Sequence, residues 1–144
     1  MLSGLFQSKN QKLVARWKKE HLKMVELAHK ILGEYAKGKH AKAKKYLKDF
    51  SDIGIDHIVS EDIEFFKLLR DHEYGDMRTE KMIEDFKESF GDTKETLMKF
   101  LGKYTVDSAR LDEAFFEGFN GIVKVLGERI EYEESNLYFR LSLS

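Results

Sequence analysis

The apolar stretch HIVSEDIEFFKLL, residues 57–69, carries an imidazole and a carboxylate four residues apart, at His57 and Glu61. On a helix that spacing turns both side chains the same way, so the pair can meet one ion. A third candidate, His21, precedes His57 by 36 residues, and Thr93 precedes Arg129 by the same interval. A shift of 72 residues carries His21 to Thr93, His57 to Arg129 and Glu61 to Glu133. Under it, HIVSEDIEFFKLL meets RIEYEESNLYFRL (129–141), with Ile58 on Ile130, Asp62 on Glu134, Phe66 on Tyr138 and Leu69 on Leu141. The pattern reads as an internal repeat of a helical hairpin, spanning about 8–71 and 78–142.

These residues need long helices to bring them together, and the chain favours such helices: proline is absent and strong helix formers fill the long segments. Apolar residues recur at helical spacing in four stretches, through Trp17, Met24 and Ile31, through Leu47, Phe50 and Phe65, through Met82, Phe90 and Leu97, and through Phe115, Phe119 and Leu126. Ser8 suits an N-cap for the first helix and Gly38 a break after it. DHEYGD (71–76) and YTVDSARLD (104–112) suit the second and third connections. Short connections between long helices predict an all-α, antiparallel up-down-up-down four-helix bundle, built as one domain over 1–144. His21, His57, Glu61, Thr93, Arg129 and Glu133 all fall on the inward stripes. Burying them is costly unless they bond to one another or to a metal.

On these residues the sequence resembles the hemerythrin-like (HHE cation-binding) four-helix-bundle family. The resemblance implies a histidine on the first helix, H-x-x-x-E on the second, a histidine on the third and H-x-x-x-E on the fourth, holding a non-haem di-iron centre. His21, His57 and Glu61 match the first half and Glu133 the carboxylate of the second. Thr93 and Arg129 stand where two histidines belong. A permanent cation at Arg129 repels a second metal, so the expected site holds at most one iron, on His21, His57, Glu61 and Glu133. The implied role is oxygen binding, or redox or metal sensing, without enzymatic turnover. The alternative uses the same arginine: a guanidinium between Glu61 and Glu133 satisfies both carboxylates, giving a metal-free bundle that regulates through protein contact.

Composition excludes other chemistries. Without cysteine there are no disulfides, thiolate metal sites or cysteine nucleophiles. A net charge of −1 offers no basic field for nucleic acid. No apolar run approaches a membrane span, and MLSGLFQSKN is too short in its apolar part for a secretory signal, so a soluble intracellular protein is expected, which the resemblance further implies to be bacterial and cytoplasmic. Phosphate-loop, dinucleotide and nucleophile-elbow motifs are missing. His29, His40 and His72 lie off the stripes and read as solvated, as do the lysines of KGKHAKAKK (37–45), which otherwise suit an anion or an acidic partner. Tyr132 and Tyr138 lie near the fourth-helix polar positions, within reach of a metal or a small ligand.

Overall fold

The computed structural model describes residues 8–71 and 77–142, apart from the side chains of 68–71 and 79. Helix α1, Lys9–Ala36, starts at a capping box: Ser8 Oγ accepts from the Gln11 amide (3.1 Å), and the Gln11 side chain accepts from the Ser8 amide (3.0 Å). It ends in a Schellman turn, in which Lys39 N–H donates to Glu34 O and Gly38 N–H to Tyr35 O, both at 2.9 Å. Gly38 holds φ +78°, a conformation that costs other residues a Cβ clash. Helix α2, His40–Asp71, then returns along α1. The second connection, at 72–76 and with it His72, lies outside the described residues.

The expected third helix is two helices, α3 (Met77–Phe90) and α4 (Thr93–Tyr104). Gly91 makes the break. Its amide donates to Lys87 O at 2.7 Å, and a Cβ on it would stand 2.4 Å from that oxygen, so the turn is closed to other residues. The loop after Tyr104 is held by two lysines of α2: Lys44 Nζ donates to the carbonyls of Val106 and Ala109, and Lys48 pairs with Asp107 at 2.6 Å. One lysine of the 37–45 cluster, Lys44, thus serves the fold rather than a bound anion. Helix α5, Glu113–Tyr132, begins at Asp112, which accepts from Phe115 N–H at 2.8 Å. It runs through a wide π turn, Glu133–Leu137, into the short α6, Tyr138–Ser142.

The result is an all-α four-helix bundle, with no strand among the described residues. Among the described residues, no helix is long and apolar enough to cross a membrane. Its interior is divided. One apolar cluster gathers Leu27, Ile31, Leu47, Phe50, Leu101 and Phe115 towards the α1–α2 turn. A second, around Trp17, Phe65, Ile83, Phe86 and Leu137, fills the opposite end. Between them lie five buried polar residues, His21, His57, Glu61, Arg129 and Glu133, none more than 2% exposed. His29 and His40 are exposed, and His40 stacks on Tyr35 at 4.5 Å.

Candidate metal centre

Each helix places its polar residue by register. His21 is one turn beyond Trp17 on α1, and His57 and Glu61 continue the Phe50 face of α2. Arg129 and Glu133 follow Leu126 on the fourth stripe. His21, His57, Glu61 and Glu133 each offer a ligand atom, and all four atoms lie within 4.8 Å of one another. His21 Nε2 faces His57 Nε2 at 2.8 Å; His57 Nε2 is 3.2 Å from Glu61 Oε1, and His21 Nε2 is 3.3 Å from Glu133 Oε1. Ligands on one ion with bonds of about 2.1 Å stand roughly 3.0–3.4 Å apart, which the His57–Glu61 and His21–Glu133 separations match, so the four groups are gathered closely enough to converge on one ion. By donor chemistry the set fits ferrous iron, manganese or zinc.

Carboxylates outside the cluster fix the imidazoles. Glu134 Oε2 lies 2.7 Å from His21 Nδ1, and Glu20 Oε1 lies 2.8 Å from His57 Nδ1. A carboxylate holds the proton on the nitrogen it faces, so both Nε2 atoms are directed inward as lone pairs. Two lone pairs at 2.8 Å repel unless a cation, either a proton or a metal, lies between them. Without metal, the proton belongs to His21. Burial lowers its pKa, but hydrogen bonds with Glu133 and then Glu134 outweigh burial and the net shift is upward. His57 is pushed down by burial, which Glu20 only partly opposes.

Arg129 occupies the second half of the centre. Its Nε donates to Glu133 Oε2 at 3.1 Å and its Nη2 to Glu61 Oε1 at 3.4 Å, with Asp62 a further 3.6 Å ion pair. The guanidinium therefore bridges the two buried carboxylates. Even so, burial raises Glu61, and burial together with the charge on Glu61 raises Glu133 to about 7. Thr93 takes no part: it is half-buried at the start of α4, lining an open groove with Glu88, Leu97 and Ile122. The break at Gly91 interrupts the third helix just before it, so the 72-residue correspondence does not carry Thr93 to the place of His21.

Tyr138 fills that gap. Its hydroxyl donates to Glu61 Oε2 and lies 3.1 Å from His21 Nε2, while its ring stacks on His21 at 5.6 Å. Glu133 and Tyr138 are five residues apart, which on an α-helix would turn them about 140° from each other. The π turn absorbs the extra residue, with Tyr138 N–H donating to Glu133 O, and both side chains point inward. The same turn ends the repeat: Phe66, aligned with Tyr138 in sequence, is 61% exposed while Tyr138 is 1% exposed. No glycine or proline marks the π turn, and Glu20 and Glu134 sit beside inward residues at positions that read as solvent-facing. Tyr132 is half-buried and donates to Met82 O at 3.2 Å, away from the cluster.

No model of a protein family, no curated protein and no solved structure matches the chain. The geometry of the buried cluster is therefore the basis for a functional reading.

Proposed function

We propose that this chain is a hemerythrin-like, single-domain bacterial protein of the cytoplasm. It binds one non-haem iron ion through His21, His57, Glu61 and Glu133 and serves oxygen, redox or metal sensing rather than turnover. One observation carries the reading: two imidazoles, each oriented by its own outer carboxylate, face each other at 2.8 Å between two buried carboxylates. Ferrous iron supplies a redox-active ion that responds to oxygen. The chain's own residues then do the rest. Glu20 and Glu134 hold the ring orientations, Tyr138 keeps a donor on Glu61, and Arg129 limits the site to one ion.

A specific observation favours the second reading, a metal-free bundle acting through protein contact. Among the described residues, the only buried side-chain polar atom without a hydrogen-bond partner is Glu34 Oε2, far from the centre in sequence, so the cluster is internally satisfied. His57→Ala separates the two. If metal holds the centre, chelator lowers the melting temperature of the wild type and leaves the variant almost unchanged, because the stabilisation from bound metal is lost in both. A wild type indifferent to chelator and to added iron supports the metal-free reading.

A further inference from the structure

Tyr138 differs from the four grouped ligand residues in chemistry but not in place. Its side chain is buried, and its hydroxyl lies 3.1 Å from His21 Nε2 and donates to Glu61 Oε2. That 3.1 Å is close to the 3.2 Å between His57 Nε2 and Glu61 Oε1 and the 3.3 Å between His21 Nε2 and Glu133 Oε1. The phenol oxygen is thus spaced from His21 as the ligand atoms are spaced from one another, and it touches Glu61 as well.

The chain fixes the ring in this position. It stacks on His21, and the fully buried Trp17 packs against it with 5.4 Å between ring centroids. Its inward aim depends on the π turn at Glu133–Leu137. Such turns are rare and occur mostly at functional sites. Packing alone does not call for one here, because Leu137, four residues after Glu133, already fills the inward position at 0% exposure. The extra residue of the turn adds one more inward group, and that group is a phenol.

We propose that Tyr138 is a further metal ligand, one that joins when the bound ion is ferric and so makes the site selective for oxidised iron. The inference rests on the metal reading above. A phenolate is a hard, anionic oxygen donor, which suits a trivalent ion better than a divalent one. Charge points the same way. Oxidation of ferrous iron adds one positive charge to a buried site, where uncompensated charge is costly. Tyr138 cancels that charge by giving its hydroxyl proton to solvent as its oxygen binds, and the electron passes to a one-electron oxidant such as ferricyanide. Beside a ferrous ion the hydroxyl keeps its proton and its bond to Glu61.

The test loads the full chain with ferrous iron under anaerobic conditions, oxidises it with ferricyanide and desalts it. Iron content, visible absorption and resonance Raman spectra are then recorded on the same sample. Imidazole and carboxylate ligands leave ferric iron absorbing chiefly in the ultraviolet. A bound phenolate adds a strong visible charge-transfer band that enhances tyrosine ring modes. The wild type should be colourless when ferrous and coloured when ferric. Tyr138→Phe should lose the band while still binding zinc, whereas Tyr132→Phe, whose hydroxyl bonds Met82 O away from the cluster, should keep it. Ferric iron bound to the wild type without a visible band would overturn this inference and leave the metal reading standing. A band that survives in Tyr138→Phe, or disappears in Tyr132→Phe, would also overturn it. No iron bound at all would overturn both readings. Should Tyr138→Phe fail to fold, the wild type and Tyr132→Phe still decide.

Discussion

Arg129→Met removes the guanidinium while keeping a long side chain against Phe86. In the wild type its two hydrogen bonds, at 3.1 Å to Glu133 and 3.4 Å to Glu61, join three residues no more than 2% exposed. Without the cation two buried carboxylates face each other, and breaking such a buried pair costs about 3–5 kcal/mol. In a chain of this size that is a fall in melting temperature of roughly 10–20 °C. The loss should depend on pH in a set direction. Arg129 holds both carboxylates down, so its removal raises them further above their ordinary values, with Glu133 already at about 7 in the wild type. A carboxylate raised in the folded state favours folding when protonated. The deficit should therefore be largest at alkaline pH and shrink as pH falls through the variant's raised carboxylate pKa values, for Glu133 down to about 7. Ferrous iron at pH 8 should relieve it too, because the ion restores the missing positive charge. Urea denaturation at pH 8 and pH 5, with and without anaerobic iron, measures all of this. A loss below about 1 kcal/mol at pH 8, or an equal loss at both pH values, would refute the buried-pair account.

Other perturbations have definite outcomes. Glu134→Gln and Glu20→Gln leave the ligands in place but release the histidine rings, and each should weaken metal binding by about 10–100-fold in chelator competition, with a melting curve near wild type. Tyr138→Phe removes a buried donor to Glu61 and should cost about 1–3 kcal/mol in chemical denaturation. Gly91→Ala puts a methyl 2.4 Å from Lys87 O and should also cost about 1–3 kcal/mol, while an alanine at Gly121, which meets nothing within 4 Å, should not destabilise the fold.

How far the sequence predicts this structure differs from part to part. Ser8, Gly38 and the apolar stripes mark α1, α2 and the bundle itself, because caps and periodicity are local signals. The inward positions of His21, His57, Glu61, Arg129 and Glu133 follow from the same register. The break at Gly91 escapes because the apolar stripe continues across it, from Phe86 and Phe90 to Leu97. The π turn escapes for a different reason. It is a one-residue insertion into an unbroken helix, and what stabilises it is tertiary: Tyr138 reaching Glu61 and His21 on other helices. Glu20 and Glu134 gain their roles only once neighbouring helices bring Nδ1 atoms to them.

The central claim is that the two facing imidazoles and two carboxylates hold one metal ion and that Arg129 prevents a second. The most direct test is elemental analysis of protein purified without chelator, alongside His57→Ala. The account predicts about one iron per chain in the wild type and close to none in the variant. Two irons per chain would contradict the role given to Arg129. A wild type without metal, and unable to take it up from ferrous iron under anaerobic conditions, would contradict the metal centre itself.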